Sequence, residues 1–240
     1  QRLKKNIFLK REDTQPTFSF KIRGAYNKIV NLSKREIQRG VIAASAGNHA
    51  QGVSLAAKKI GASSIIVMPN TTPKVKVDAV KKLGSKIIIT GDSYSEAYEY
   101  AVKLSKEKNL VFIHPFDDEF VIAGQGTIGM EILRQCKYKV DAIFVAVGGG
   151  GLISGVGAFI KSIRPEIKII GVQTEDSDAM YRSLKANKRI QLNHVGLFSD
   201  GTAVKKVGKR TFDLCRLVVD DMLLVNTDEV CAAIKDIFED

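Results

Sequence analysis

The chain of 240 residues is 45% hydrophobic and 26% charged, which suits a sizeable core and excludes a disordered tail. No apolar run approaches the ~20 residues that a bilayer-spanning helix needs, and no apolar stretch of signal-peptide length follows the amino end. Lys plus Arg is 37 against 26 Asp plus Glu, a net charge of +11 that raises nucleic acid as a partner. The distribution argues against that partner. Lys58-Lys59 and Lys81-Lys82 each precede a glycine that reads as a helix stop, where cations complement the helix dipole, and no basic block is interleaved with aromatics. A basic surface that draws in small anions fits the charge equally well.

In chain order, Val41 to Ala44 reads as a strand, and Asn48 to Ile60 follows as a helix with Ala50, Val53, Ala57 and Ile60 at helical spacing, stopped by Gly61. Ile65 to Met68 is a second strand. Thr72-Pro73 starts the next helix, with Thr as N-cap and Pro at the first helical position, and Gly84 ends it. Ile87 to Ile89 is a third strand. Ser93 and Glu96 have capping-box spacing for a helix to about Lys108, and Leu110 to Ile113 is a fourth strand.

This β-α-β-α-β-α-β run predicts parallel strands with helical crossovers. The strands are continuously apolar, as expected where both sheet faces are covered. The segment near Asp117-Asp118 lacks strand pattern and is a plausible boundary. The order then repeats: a helix around Gly129 to Gln135, a strand from Ala142 to Val147, a glycine loop, a helix, and a strand from Lys168 to Val172. The fold class is therefore α/β, with two open parallel sheets. Cys136, Cys215 and Cys231, like His49, His114 and His194, are scattered without zinc-site spacing and read as reduced, buried thiols and isolated imidazoles.

Three constellations carry chemistry. The strand Ala142 to Val147 runs into Gly148-Gly149-Gly150-Gly151-Leu152 and a helix, so backbone N–H groups converge on an anion at a helix N-terminus. No Lys-Ser/Thr pair follows, so it is not a Walker loop. In Ser19-Phe20-Lys21-Ile22-Arg23-Gly24-Ala25 the lysine stands between apolar residues, a setting that lowers an amine's pKa and frees it for Schiff-base chemistry. In Ser45-Ala46-Gly47-Asn48-His49-Ala50-Gln51-Gly52, small residues follow a strand and open a helix, where ligands bind in open α/β sheets. Asn48 there is a helix cap, a ligand contact, or both.

With these motifs in this order, the chain resembles the fold-type-II pyridoxal-phosphate enzymes, and within them the biosynthetic branch of the threonine dehydratases. Gly171 to Ser177, Val195 to Val204 and Asp228 to Asp240 extend the resemblance over nearly the whole chain. It implies a tryptophan synthase β-like architecture. Residues 1–39 with 118–240 would form a large domain and 40–117 a small inserted one, with pyridoxal 5'-phosphate in the cleft between them. It further implies that Lys21 holds the cofactor covalently and moves the substrate α-proton, and that Asn48 hydrogen-bonds the cofactor's 3-hydroxyl oxygen. Gly148, Gly149, Gly150, Gly151 and Leu152 would bind its phosphate, and Ser45, Ala46, Gly47 and His49 would flank the substrate carboxylate.

The implied reaction takes L-threonine to 2-oxobutanoate and ammonia, or L-serine to pyruvate, as the first step of isoleucine biosynthesis. It would run in the cytoplasm or a biosynthetic organelle, in a homo-oligomer, tetrameric at full length, with no nucleic-acid or membrane partner. Some relatives hold a divalent cation through a glutamate near the position of Gln173, so no metal is expected here. The racemases of the family carry a serine where this chain has Ala46, which predicts dehydration without racemisation unless Ser45 or a water serves the second face. A strand before Lys4, a serine near the pyridine nitrogen beyond Asp240, and an isoleucine-sensing regulatory domain are parts of the family pattern that this chain lacks. The rivals are a catabolic serine/threonine dehydratase or serine racemase on the same fold, a dinucleotide-binding oxidoreductase with Gln173 or Glu175 at the ribose position, and a nonenzymatic nucleic-acid binder.

Overall fold

The structure, a computed structural model, describes residues 6–239; the segment before Lys4, where the family's strand is expected to be missing, and the last matched residue, Asp240, lie outside them. After a short 3-10 turn at Glu12–Thr14 come α1 (Lys21–Val30), α2 (Lys34–Arg39), β1 (Val41–Ala44), α3 (Asn48–Ile60), β2 (Ser64–Met68), α4 (Lys74–Lys82), β3 (Lys86–Ile89), α5 (Tyr94–Glu107) and β4 (Val111–Phe112). A second run follows: α6 (Glu119–Gln135), β5 (Ala142–Ala146), α7 (Gly151–Ile163), β6 (Lys168–Thr174), α8 (Ala179–Lys185), α9 (Lys209–Val218), β7 (Asp221–Val225) and α10 (Thr227–Glu239). Two all-parallel sheets result, ordered β3-β2-β1-β4 and β5-β6-β7.

The first sheet is covered on both faces, because its strands alternate into two apolar clusters. Val41, Ala43, Ile66 and Met68 pack with Ile22, Ala25 and Ile29 of α1 and with Ala50, Val53 and Ala57 of α3. Ile42, Ala44 and Val67 pack on the opposite face with Ala97, Ala101 and Leu104 of α5. The second sheet departs from the expectation of two covered faces. Ile169 and Met222 turn toward α7 and its Ile153, Val156 and Ile160. The other face, with Phe144 62% exposed and Leu223 43% exposed, has no helix over it among the described residues.

Helix α1 is held on two sides by different forces. Its apolar side joins the first-sheet core. Its polar side is pinned to α6 and the amino-terminal segment. The Arg23 guanidinium donates to Glu12 at 2.7 and 2.8 Å and to Glu131 at 2.7 and 2.8 Å. Asn27 donates to the Phe120 carbonyl at 2.7 Å, and Lys28 pairs with Asp118 at 2.7 Å. Hydrogen bonding from Arg23, helped by Lys10, holds the Glu131 carboxyl down at about 2 against its partial desolvation. Such bidentate, partly enclosed pairs fix orientation as well as adding energy.

Several local expectations are corrected. Pro73 is the cap of α4, not its first helical residue. Its φ of −58° fits either place, but its ψ of 139° is extended and its carbonyl accepts from Lys76 and Val77. Thr72 makes no cap bond, and its hydroxyl is buried without a partner. The capping box at α5 is half formed: Ser93 accepts from the Glu96 amide, but the Glu96 carboxylate takes the Asp92 amide at 2.6 Å. Strand β4 has two residues rather than four, since the Leu110 amide closes α5 on Ser105 and the chain turns at His114. Helix α6 begins ten residues before the expected Gly129, capped by Asp118, because Gly124, Gly126 and Gly129 dilute its apolar period. Of the cysteines, all free, Cys215 is buried and Cys231 is exposed.

Those glycines let helices touch backbone to backbone. A Cβ on Gly155 of α7 would stand 2.7 Å from the Gly126 amide of α6 and would collide with the Ile122 carbonyl. Neither obstacle is a flexible side chain, so Gly155→Ala is expected to lower unfolding free energy by ~2–3 kcal/mol, the range for overpacking. Gly47→Ala, where the added carbon meets nothing within 4 Å, is expected to change it by less than ~1 kcal/mol. Urea denaturation midpoints of the two variants check both.

Candidate active site

In an open α/β sheet, ligands bind at the carboxyl ends of strands where the strand order reverses. The order β3-β2-β1-β4 reverses between β1 and β4. The chain leaves β1 as Ser45-Ala46-Gly47 and leaves β4 as Ile113 to Asp117, so these two segments frame the crevice. They are tied by the buried His49, whose Nε2–H donates to the Ile113 carbonyl at 2.9 Å. That bond fixes the tautomer. Burial, reinforced by Lys21 against the pull of the Ile113 carbonyl, pushes the imidazole down to about 3, so it stays neutral.

Lys21 is the first residue of α1 and is half-buried. Its Nζ donates to the Pro115 carbonyl at 3.1 Å and lies 5.4 Å from the Phe20 ring centroid. Burial lowers its pKa to about 8. Gly52, one turn into α3, brings that helix against the Lys21 backbone, 3.0 Å from where its Cβ would be. The Lys21 motif and the Ser45–Gly52 motif, 24 residues apart in sequence, therefore meet through a helix contact.

The glycine loop also packs against the segment Ile113 to Asp117, which therefore acts as a strap between the motifs. Cβ atoms on Gly149 and Gly151 would collide with or crowd Phe116. Gly150, with φ of +96°, is the cap of α7, and a Cβ there would meet Met180 and Thr211. The Thr211 hydroxyl donates to the Gly149 carbonyl at 2.6 Å. Asp117 in turn accepts from the Lys209 and Thr211 amides at 2.9 and 3.2 Å, capping α9. Gly148 abuts the Thr202 backbone, and Leu152 packs into the second core.

The helix ends at this site lack side-chain caps and first-turn acids, as those of α4 and α8 also do. Helices α2, α5 and α6 are capped by Ser33, Ser93 and Asp118 and carry an acid in the first turn. Helices α1, α3 and α7, which meet at the strap, have neither a side-chain cap nor a first-turn acid. Their amide ends leave positive potential for an anion. An enclosed amine of lowered pKa beside a glycine-lined, uncapped helix end fits a group bearing an aldehyde and a phosphate, so the residues suit pyridoxal phosphate.

Of the expected site residues, Lys21, Ser45, Ala46, Gly47, Asn48, His49 and the Gly148–Leu152 loop flank this strap through the contacts above or by direct continuity. Asn48 is exposed and is the first residue of α3; the cap is Gly47, so the cap alternative for Asn48 falls. The Ser45 hydroxyl accepts the Gly47 amide at 3.2 Å. Gln173, 2% exposed, spends its whole amide inside: Nε2 donates to the Val147 and Ser177 carbonyls at 3.0 and 3.2 Å, and Oε1 accepts the Tyr181 amide at 2.8 Å. Its amide is satisfied inside the fold, so the dinucleotide reading loses Gln173 as a ribose contact and is left with Glu175 alone. Sequence reasoning missed Pro115, Phe116, Asp117 and Thr211. The run His114-Pro115-Phe116-Asp117-Asp118 after a strand was the available signal.

Two outcomes follow from these groups. Gln173→Glu, a carboxylate facing two carbonyls, is expected to cost ~3 kcal/mol or more of stability, read by urea denaturation at neutral pH. Lys21→Met is expected to stabilise the cofactor-free protein at pH 7 by on the order of 2 kcal/mol, since the folded state charges Lys21 near 8 instead of 10.5. The folded pKa is the lower one, so wild-type stability falls as pH drops from 10.5 to 8. The gain from methionine should therefore shrink as pH rises through that window.

Comparison with known proteins agrees with this geometry. The family described as "Pyridoxal-phosphate dependent enzyme" matches residues 1–240. The chain is 58% identical over 242 residues to the biosynthetic L-threonine dehydratase of Burkholderia multivorans, covering 100% of this chain and 48% of that protein. It is 55% identical over 235 residues to the mitochondrial threonine dehydratase of Schizosaccharomyces pombe, covering 98% of this chain and 39% of that one. The chain thus spans about half the length, or less, of these relatives. Among solved structures, the processed form of threonine deaminase isoform 2 from Solanum lycopersicum superposes with a TM-score of 0.97 at 50% identity, covering 99% of this chain and 69% of that one. Maize serine racemase follows at 0.90 and 37%, covering 93% and 68%. A whole-chain family match, and structures of that kind laid over both sheets, mean that this chain belongs to the pyridoxal-phosphate dependent enzyme family.

Proposed function

We propose that this chain is the catalytic portion of a biosynthetic-type threonine dehydratase, converting L-threonine to 2-oxobutanoate and ammonia and L-serine to pyruvate and ammonia. The observation that carries the reading is the Lys21 amine, lowered to about 8 and seated within one strap of the glycine loop. The two relatives named as threonine dehydratases and the tomato threonine deaminase support the substrate. The protein would act as a homo-oligomer, in the cytoplasm or in an organelle that makes amino acids. Residues 40–117, which contain all four strands of the first sheet, would form the small domain, and 1–39 with 118–240 the large one.

Bound pyridoxal phosphate supplies an electron sink for the substrate's α-carbon. The residues do the rest. Lys21 anchors the cofactor and, when released, its neutral amine takes the α-proton; a pKa near working pH suits both removal and return of that proton. The uncapped first turn of α7, with Gly148, Gly149, Gly150, Gly151 and Leu152, holds the phosphate dianion. The start of α3 would receive the substrate carboxylate on the backbone of Ser45, Ala46, Gly47 and His49, and Asn48 would hydrogen-bond the cofactor's 3-hydroxyl oxygen. Neutral His49 adds no charge that would trap a carboxylate as an ion pair. Ala46, where the family's racemases carry a serine, would present only a methyl on the face opposite Lys21, so proton transfer would be confined to one face.

Incubation with L-threonine is expected to yield 2-oxobutanoate, and borohydride is expected to trap cofactor on the Lys21 peptide. Loss of trapping in Lys21→Ala, with turnover down by at least a thousandfold, supports the assignment; trapping that persists refutes it. With L-serine, pyruvate should form without D-serine at a comparable rate. Substantial D-serine would move the protein to the racemase reading.

A further inference from the structure

The proposed mechanism leaves one imidazole at the site without a task. His114 follows β4, and its Nδ1 faces back along its own chain. It accepts the Phe116 amide at 3.2 Å and the Asp117 amide at 2.8 Å. A nitrogen that accepts two amides carries no proton, so the N–H of this imidazole is at Nε2. The pattern, a side-chain acceptor on the amides two and three residues later, is the one by which Asn and Asp close Asx turns and cap helices. Here the closed turn is residues 114–117. Every residue after the histidine in that turn makes a contact the site depends on. The Pro115 carbonyl receives the Lys21 amine, the Phe116 ring backs Gly149 and Gly151, and the Asp117 carboxylate caps α9, whose Thr211 holds the Gly149 carbonyl.

We infer that His114 is a positioning residue: by accepting two amides on Nδ1 it sets the 114–117 turn, and through that turn it fixes the Lys21 amine and the glycine loop relative to one another. Aromatic packing holds the ring itself, with Phe116 at 4.7 Å, Tyr98 at 6.1 Å and Phe112 at 6.2 Å between centroids, each near edge-on. The charged and titratable groups around it are Asp117 and Asp118, which favour protonation, and Lys21, which opposes it. Burial outweighs the two carboxylates and brings His114 down to about 4, so the acceptor persists at neutral pH. The groups acting on the Lys21 amine are the Pro115 carbonyl, the Phe20 ring, and the imidazoles of His49 and His114. If the turn loosens, water reaches the amine and its pKa moves back toward 10.5.

The inference rests on Lys21 being the site's amine, and its test is separate from activity. Competitive acetylation with acetic anhydride, followed by mass spectrometry of the Lys21 peptide, gives the pH midpoint of Lys21 in the cofactor-free protein. His114→Phe keeps an aromatic ring and removes the acceptor. It is expected to raise the midpoint by at least one unit, slowing acetylation at pH 7.5 about tenfold. His114→Asn restores an acceptor suited to an Asx turn and is expected to stay within about 0.3 unit of wild type. An unchanged midpoint in His114→Phe, or an equal shift in both variants, overturns the proposal, the second because restoring an acceptor would then not restore the turn. Should His114→Phe fail to fold, the ¹⁵N shifts of His114 in unaltered protein decide: an unprotonated Nδ1 at pH 7 supports the turn and a protonated one overturns it. Borohydride trapping at another lysine would sink the assignment of Lys21 and leave the acetylation result standing.

Discussion

The structure depends on keeping one amine out of water. Lys21 is the first residue of α1, half-buried, with the Pro115 carbonyl as partner. An uncompensated ammonium there is unfavourable, which is why its pKa falls to about 8. A site that holds a lysine near neutrality gives up folding free energy for reactivity, so the surroundings must supply that energy elsewhere. They do so by clamping α1 on both flanks. Ile22, Ala25 and Ile29 enter the first-sheet core, while Arg23, Asn27 and Lys28 lock onto Glu12, Glu131, Phe120 and Asp118. The helix carrying the lysine thus has little freedom to swing its amine into solvent.

The second constraint is the passage of the chain from β4 to α6. In five residues it bonds His49 through Ile113, Lys21 through Pro115, and α9 through Asp117, and it backs the glycine loop with Phe116. Elements from both sheets therefore meet at this short strap as well as through the packing of α1 on α3 and α6. Backbone–backbone contacts at Gly124, Gly126 and Gly155 bring α1, α6 and α7 close enough for that strap to reach all its partners. The two imidazoles beside it, His49 buried and His114 half-buried, are both neutral, so the positive potential for anions comes from helix ends instead. Backbone dipoles fixed by a helix need no reorganisation when charge develops, an advantage over flexible cations.

Much of this was legible along the chain. The parallel topology followed from the alternation of apolar runs with amphipathic segments, and β1 and α3 stand where their residues placed them, Val41–Ala44 and Asn48–Ile60. The three motifs announced an amine, an anion cup and a ligand-binding loop, because each is a local pattern with a local cause. Failures came where the cause was not local. The first half of α6 was hidden because its glycines answer to α1 and α7 rather than to the helix's own period. Strand β4 was overread because four apolar residues do not reveal that the chain turns at His114.

What the sequence determined by itself was the kind of chemistry: lysine in an apolar setting, glycines at a strand-to-helix turn, and small residues after a buried strand have those properties wherever they stand. What tertiary structure decided was whether those groups could act together. The desolvation that lowers Lys21, the tautomers of His49 and His114, and the spending of Gln173 inside the fold all depend on partners 26 or more residues distant or on turns the chain closes only when packed. Hydrogen-bond partners and local dielectric are set by three-dimensional neighbours, and no linear spacing encodes them.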